Sequence, residues 1–270
     1  MSVKITEAKR IVVKVGTSSL THKNGNINLG RIEKFARVLS DLQNMGKEIV
    51  LVSSGAIGVG CSRLGLKERP ETTKGKQAAA AVGQCHLMNI YSKFFGEYGH
   101  VVAQVLLTRD VIEDDRMRNN VCNTFGTLLE QGIIPIVNEN DTISIDEIEN
   151  ICNFGDNDNL SAIVSLLVDA DLLIILSDID GFYNGDPRKD ENAKLISEID
   201  EITEEIKACA GGAGTSFGTG GMRTKISAAE KVVDKGIHMI LANGEEPSIL
   251  RDILVDGERK GTLFVGKGRI

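Results

Sequence analysis

Short apolar runs alternate with amphipathic segments along nearly the whole chain. The runs that lack a regular polar alternation predict buried strands at Ile11–Val15, Glu48–Ser53, Val101–Leu107, Ile133–Val137, Asp171–Leu176 and Ile237–Ala242. Strands of this kind are typical of parallel sheets that helices cover on both faces.

The segments between these strands carry apolar residues at helical spacing. In the first of them Ile32, Phe35 and Leu39 fall on one helical face, and Gly46 supplies a stop. Helices are predicted at Arg31–Met45, Lys76–Tyr98, Met117–Gln131, Asn159–Val168 and Thr224–Lys235. The pattern predicts the α/β class, as a three-layer α/β/α sandwich with a mainly parallel central sheet. We expect a single domain over 1–270, with lobes of about 1–170 and 171–270.

Composition narrows the class of protein. The chain has 270 residues and a formal net charge of −7, so nothing in its overall charge favours a nucleic-acid partner. No apolar run is long enough to span a membrane, and 1–10 lacks the apolar core of a signal peptide. Five widely spaced cysteines without a CxxC pair indicate neither a disulfide framework nor a zinc site. We therefore expect a cytoplasmic protein with no nucleic-acid or membrane partner.

Candidate chemistry follows the strands, because ligands of open α/β sheets gather at the carboxyl ends of strands. Glycine and hydroxyl residues in such turns expose backbone N–H groups that can hold anions. The turns concerned are Gly16-Thr17-Ser18-Ser19, Ser53-Ser54-Gly55-Ala56, Asn138-Glu139-Asn140-Asp141, Ser177-Asp178 and Gly218-Thr219-Gly220-Gly221-Met222-Arg223-Thr224-Lys225.

Two kinds of charged residue stand out in these regions. Lys14 interrupts an apolar strand, which is costly unless its ammonium group is paired or lines a cleft. Asp141, Asp156 and Asp158 lie among asparagines. They are consistent with turn and helix-cap chemistry, in which Asp158 or its neighbour Asn157 caps the following helix. The functional interpretation is a site that recognises a cationic amine, a metal or the lysines.

Several common motifs are absent or incomplete. No G-x-G-x-x-G follows the first strand, which disfavours a dinucleotide-binding oxidoreductase. Gly261–Lys267 fits the start of a phosphate-binding P-loop, but Gly268 occupies its Ser/Thr position. The four histidines show no metal-ligand spacing.

Taken together, the turns resemble the amino acid kinase family, and within it the branch that phosphorylates glutamate. The resemblance covers almost the entire chain. Asn138-Glu139-Asn140-Asp141 and Gly155-Asp156-Asn157-Asp158-Asn159-Leu160-Ser161 are its most specific parts, and Asp186-Pro187-Arg188 and Gly261-Thr262-Leu263-Phe264 belong to it as well. Many bacterial members of that branch carry a C-terminal PUA domain of RNA-binding type, and this chain resembles the short form without it.

The resemblance implies transfer of the γ-phosphoryl group of ATP, with Mg²⁺, to the side-chain carboxylate of L-glutamate, the first step of proline biosynthesis. That carboxylate is ionised at neutral pH, since glutamate titrates near ~4.3, so no general base is needed. The obstacle is charge, because an anion must attack a polyanion. We expect catalysis from positioning and from cations around the moving group.

The family's residue roles carry over to matching positions. By resemblance Lys14 contacts the transferred phosphoryl group and Lys225 bridges the β- and γ-phosphates, and Asp158 is the candidate carboxylate that holds the two lysines together. Nucleotide contacts are expected at Lys14, Gly16, Thr17, Ser177, Asp178, Thr219, Gly220, Gly221, Met222, Arg223, Thr224 and Lys225. Glutamate contacts are expected at Ser54, Gly55, Asp141 and Asn157. Mg²⁺ would bind mainly through phosphates and water, so no metal-ligating residue is predicted.

The family also implies feedback inhibition by proline at the loop 138–155 and assembly into a homo-oligomer, a dimer or a tetramer. Two other interpretations stay open. A sibling kinase would phosphorylate another acceptor, such as acetylglutamate, aspartate, carbamate or a nucleoside monophosphate. A catalytically silent amino-acid-binding protein would not need the lysines and glycine turns that this chain retains.

Overall fold

The computed structural model describes residues 4–22, 25–108, 110–143, 157–187, 190–210 and 221–268. The strands are β1 (Arg10–Val15), β2 (Glu48–Ser53), β3 (Val102–Leu107), β4 (Ile134–Glu139), β5 (Leu172–Ser177), β6 (Phe182–Tyr183), β7 (Leu195–Ile196), β8 (Glu198–Ile199), β9 (His238–Asn243) and β10 (Thr262–Phe264). The helices are α1 (Thr17–Leu20), α2 (Leu29–Asn44), α3 (Ala56–Arg63), α4 (Thr73–Glu97), α5 (Asp110–Glu113), α6 (Asp115–Glu130), α7 (Asn157–Leu167), α8 (Glu204–Ala210), α9 (Met222–Val233) and α10 (Ile249–Leu254).

Eight strands form one sheet in the order β3-β4-β2-β1-β5-β9-β10-β8. All neighbouring pairs in it are parallel except β9 and β10, and β6 pairs with β7 in a separate small ribbon. Strand β1 lies in the middle, with β2 on one side and β5 on the other. The chain visits β2, β3 and β4 on the first side and then crosses through α7 to β5. This reversal of direction opens a crevice beyond the carboxyl end of β1, where ligands of open α/β sheets bind.

The two faces of the sheet are covered by different helices. Because side chains alternate along a strand, Ile11 and Val13 point into a core cluster with α2, α4 and α10. Val12 points to the opposite face, into a cluster with α6, α7 and α9. Lys14 follows Val12 by two residues, so its side chain faces α7 and α9 as well. The alternation of β1 therefore sends the lysine towards those two helices.

Helices α3 and α4 meet with almost no side chain between their backbones. A Cβ on Gly83 would lie 1.8 Å from the carbonyl oxygen of Ala56, and one on Gly60 would lie 1.8 Å from that of Ala79. Only glycine fits at both positions. The contact fixes α4 against α3, which starts directly after the turn that ends β2.

The predicted fold class is confirmed. Strand β2 has its predicted bounds, and the other predicted strands and helices are present with shifted ends. Strand β4 continues to Glu139, two residues beyond its predicted end, because it pairs with β3 as far as that residue. Helix α7 begins at Asn157, two residues before its predicted start. Helix α3 was not predicted, and six shorter elements were not predicted because each is too brief to show a period: α1, α5, α8, α10, β8 and β10. The β6–β7 ribbon was not predicted either.

Candidate active site

A buried carboxylate joins two lysines from opposite ends of the sequence. Asp158 lies in the first turn of α7 and is fully buried. Its Oδ1 is 2.6 Å from Nζ of Lys14 on β1, and its Oδ2 is 3.0 Å from Nζ of Lys225 on α9. The two lysines are only 8% and 6% exposed. The three groups leave one net positive charge close to the carboxyl end of β1.

The protonation of Asp158 follows from this arrangement. Burial by itself raises the pKa of a carboxyl group, but the ammonium groups of Lys14 and Lys225 outweigh burial and lower the pKa of Asp158 to about 2. The hydroxyl of Thr224 lies 2.9 Å from the same oxygen that Lys225 contacts. Asp158 is therefore a fixed carboxylate at neutral pH. Both of its oxygens contact lysines, which is the pairing that the sequence left open beside a helix cap.

The start of α9 carries the rest of the late glycine-rich turn. Gly221 is the N-cap residue in an extended conformation, and the hydroxyl of Thr224 donates to its carbonyl oxygen at 2.8 Å. Met222 packs partly buried against the apolar cluster, and Arg223 is exposed. Thr219 and Gly220 lie outside the described residues. The N-terminal turn of α9 thus places Lys225 and Thr224 together on Asp158.

The turns after β1 and β2 touch one another. A Cβ on Gly16 would lie 3.6 Å from Nζ of Lys14, so the backbone of this turn passes close to the ammonium group. Gly55 has a φ of 96°, a left-handed conformation that favours glycine, and its Cα faces the side chain of Thr17. Thr17 was predicted to contact the nucleotide and Gly55 to contact glutamate. The two residues are therefore neighbours at one edge of the sheet.

Neutral amides and hydroxyls surround the end of β2. Nδ2 of Asn157 lies 2.6 Å from Oγ of Ser54 and 3.3 Å from Oδ1 of Asn138. Asn138 is 3% exposed, and its Nδ2 donates to Oε1 of Gln84 on α4 at 2.9 Å. Because Asn157 precedes Asp158 directly, α7 connects this polar group to the lysine cluster.

The remaining predicted residues lie at the same edge of the sheet. Asp141 follows β4 by two residues and is half-buried. Ser177 ends β5, next to the end of β1, and its Oγ donates to Oδ1 of Asp178 at 3.2 Å. Asp156 lies outside the described residues. The structure thus places at this edge every predicted site residue that it describes.

Two residues of the amide group were missed as site residues. Asn138 belongs to a turn singled out in the sequence, but β4 extends through it and its side chain is buried. Gln84 lies within the long α4 and carries no local signal at all, since its role depends on a contact across 54 positions of sequence. The signal available for Asn138 was its polar side chain directly after an apolar strand.

Neither a membrane span nor a metal cluster is found within the described ranges. No described helix combines the length and apolarity needed to cross a bilayer. No three His, Cys, Asp or Glu side chains in the described part of the chain are grouped to hold a metal ion. The positive, buried lysine pair beside an uncrowded glycine turn does suit a polyphosphate, which can carry Mg²⁺ on its own oxygens.

Comparison with known proteins agrees with this geometry. The profile of the amino acid kinase family matches residues 9–243. Glutamate 5-kinase of Clostridium perfringens (strain 13 / Type A) is 70% identical, with 97% of each chain covered. Glutamate 5-kinases of Listeria innocua and Enterococcus faecalis are 60% and 58% identical, covering 97% and 98% of this chain and 95% and 97% of theirs. The crystal structure of UMP kinase from Bacillus anthracis shares the fold, with a TM-score of 0.63 at 16% identity, covering 97% of this chain and 98% of that one. This chain belongs to the amino acid kinase family.

Proposed function

We propose that the protein transfers the γ-phosphoryl group of ATP to the side-chain carboxylate of L-glutamate, forming L-glutamyl 5-phosphate. One observation carries the chemistry: Lys14 and Lys225 share the buried carboxylate of Asp158. The relatives named glutamate 5-kinase, at up to 70% identity, support the choice of acceptor. Phosphoryl transfer needs positioning and positive charge around the moving group, and this cluster offers both.

No general base takes part in this mechanism. The attacking carboxylate of glutamate is ionised near pH 7, with an ordinary pKa of about 4.3. Asp158, with its pKa lowered to about 2, is a weak base, and both of its oxygens face lysines. Its role is to hold two like charges close together. Lys14 then stabilises the transferred group, and Lys225 stabilises the charge that develops between the β- and γ-phosphates.

The nucleotide would lie against the glycine turns. Gly16 and Thr17 after β1, and the turn Gly221–Thr224 that opens α9, offer backbone N–H groups and little steric hindrance to phosphate oxygens. Ser177 and Asp178 at the end of β5 would contact the rest of the nucleotide. Mg²⁺, when bound with ATP, neutralises phosphate charge, and it needs few protein ligands because it keeps water and phosphate oxygens.

Glutamate would occupy the polar edge formed by β2 and β4. Ser54, Gly55 and Asn157 supply neutral hydrogen-bonding groups close to the lysine cluster. Asp141 supplies the negative charge that suits the α-ammonium group of the amino acid. A neutral surface with one carboxylate matches a zwitterionic acceptor better than a phosphorylated one, which would require additional arginines.

Further parts of the proposal follow from the family. The product would enter proline biosynthesis, and proline would inhibit the enzyme at the loop 138–155, of which 144–155 lies outside the described residues. The lobe before about residue 170 would bind the acceptor and the later lobe the nucleotide, within a homo-oligomer. The free thiols Cys61, Cys85, Cys122 and Cys209 suit a reducing cytoplasm.

An acceptor panel tests the proposed activity. The purified protein is given MgATP with L-glutamate, L-aspartate, N-acetylglutamate, carbamate or UMP, and ADP release is measured with trapping of the acyl phosphate as a hydroxamate. We expect ADP release and hydroxamate with L-glutamate well above all other acceptors. Faster turnover of another acceptor would identify a sibling kinase instead, and no ADP release with any acceptor would indicate a binding protein.

A further inference from the structure

Helix α4, which belongs to none of the glycine turns, contacts the strand ends that form the proposed glutamate site. Helix α4 places Gln84 against the end of β4, where Oε1 of Gln84 accepts a hydrogen bond from Nδ2 of Asn138 at 2.9 Å. Seven residues later on the same helix, the hydroxyl of Tyr91 lies 2.9 Å from Oγ of Ser53 at the end of β2. Residues seven apart share a helical face, so one face of α4 supports two strand ends of the site.

The contact with Gln84 holds the amide of Asn138 in one orientation. An asparagine amide has a donating end and an accepting end. Because Gln84 takes the donating end, Oδ1 of Asn138 faces Nδ2 of Asn157, at 3.3 Å. A flipped Asn138 would set two NH₂ groups against each other and lose both contacts. The contact with Gln84 therefore stabilises the orientation of Asn138 that is compatible with Asn157.

The orientation of Asn157 matters for the substrate in turn. Its Nδ2 also lies 2.6 Å from Oγ of Ser54 and 3.3 Å from the carbonyl oxygen of Ser53. With its nitrogen held on that side, the amide presents its oxygen on the other. The carbonyl oxygen of Ser53 and the chain of contacts that starts at α4 thus favour the same orientation of Asn157, in which its oxygen is available to a bound amino acid.

The backbone next to Gln84 is fixed as well. Gly83 packs so closely on α3 that a Cβ there would meet both the carbonyl oxygen of Ala56 at 1.8 Å and the nitrogen of Gly60 at 2.5 Å. Helix α3 begins at the turn that holds Ser54 and Gly55. One rigid crossing of two helices therefore sets the distance between Gln84 and the residues that it orients.

We propose that Gln84 is a positioning residue for the amino-acid acceptor, acting through Asn138 and Asn157 and not by touching the nucleotide. This inference rests on the proposed function. It predicts an effect on glutamate binding alone, since the lysine cluster does not contact Gln84 in the described structure.

The test is a comparison of Gln84→Met with the unchanged protein. Methionine has a similar length and helix propensity but no strong acceptor for Asn138. We expect the KM for glutamate to rise about five- to tenfold, the effect of one hydrogen bond, while the KM for ATP and kcat stay within about twofold. Asn89→Met, at an exposed position of α4, is the matched control and should change nothing. An unchanged KM for glutamate, or an equal rise in both KM values, would overturn the inference.

A double-mutant cycle separates positioning from a merely structural role. If Gln84 acts through Asn138, then Gln84→Met has no further effect on the KM for glutamate once Asn138→Ala is present. Additive effects would overturn the inference. Melting temperatures show whether each variant is folded. Gln84→Ala, which also removes the acceptor for Asn138, replaces a methionine variant that does not fold and is judged by the same outcomes. Failure of the proposed function itself would give a different result, because the protein without any substitution would then not phosphorylate glutamate.

Discussion

The two halves of the candidate site are built from different kinds of interaction. Around the phosphoryl end, Lys14, Asp158 and Lys225 form a buried cluster of formal charges. Around the acceptor end, Asn138 and Asn157 form a network of neutral amides and hydroxyls. Charge is concentrated where charge would move during the reaction, and neutral hydrogen bonds are used where a ligand is only recognised. This division predicts that changes at the first end alter kcat and stability, while changes at the second alter KM.

Removing the shared carboxylate should have the largest effect. Asp158→Asn leaves two buried ammonium groups without their counter-charge, and we expect a loss of roughly 3–5 kcal/mol in the free energy of unfolding. Urea denaturation followed by circular dichroism measures it. Asp41→Asn, which removes an exposed carboxylate that pairs with Arg251, is the control and should cost under about 1 kcal/mol. Equal losses in the two variants would contradict the special cost of the buried cluster.

The same carboxylate gives the cluster a pH signature. The folded pKa of Asp158, about 2, lies below its ordinary value of 3.8. A lowered pKa stabilises the folded state at pH values above the ordinary one, and that contribution is lost as the pH falls from about 4 to about 2. Denaturation across this range should show a steeper loss of stability in the unchanged protein than in Asp158→Asn, and parallel curves would argue against the assignment.

Removing either lysine should affect the reaction more than the fold. Lys14→Ala and Lys225→Ala each remove a fixed cation, and we expect kcat to fall at least ~10²-fold, the effect of losing one preorganised charge stabiliser. Steady-state assays with glutamate and MgATP measure it. The exposed Lys9 and Lys235 provide Lys→Ala controls near the same two elements. Near-normal turnover in either active-site variant would show that charge at this end is not needed.

Substitution of Asp141 tests the acceptor end of the candidate site. Asp141→Ala should raise the KM for glutamate about tenfold and leave the KM for ATP unchanged, because it loses one charge-assisted contact with the α-ammonium group. Glutarate, which has the acceptor carboxylate but no ammonium group, gives the sharper readout. The unchanged protein should prefer glutamate, and the variant should lose much of that preference. A change confined to the KM for ATP would place Asp141 on the nucleotide instead.

Tyr91 should give the smallest effect of the series. Burial raises the pKa of its hydroxyl, so the group stays neutral in any ordinary assay. Tyr91→Phe removes only its hydrogen bond with Ser53, which keeps a second contact to the carbonyl oxygen of Ser54 at 3.3 Å. We expect about 1 kcal/mol less stability by thermal denaturation and less than about a twofold rise in the KM for glutamate. A larger rise than that of Gln84→Met would shift the positioning role to Tyr91.

The sequence predicted the residues of the charged end more completely than those of the neutral end. Lys14 was visible because a charge inside an apolar strand demands an explanation, and the late glycine-rich turn led to Lys225. The sheet was predictable because its central strands are uninterrupted apolar runs. Helix α3 was missed because Gly58 and Gly60 lower its helix propensity, and it is maintained instead by packing on α4.

The neutral end depends on contacts that no local pattern encodes. Gln84 looks like any polar residue on a long helix, and its importance appears only when α4 is packed on α3 and reaches the end of β4. The orientation of an amide likewise cannot be deduced from spacing. A buried charge can be recognised in a sequence because burying it without a partner costs much free energy. A single buried amide costs less, so an amide network is recognised only from the three-dimensional structure.

The ion cluster also bears on how the protein is made. Its three members come from the first strand, from a helix midway along the chain and from a helix close to the end. A chain that lacks α9 cannot complete the cluster, because Lys225 would be missing from Asp158. Two separately expressed fragments that are divided between α7 and α9 would therefore form the cluster only by docking on each other.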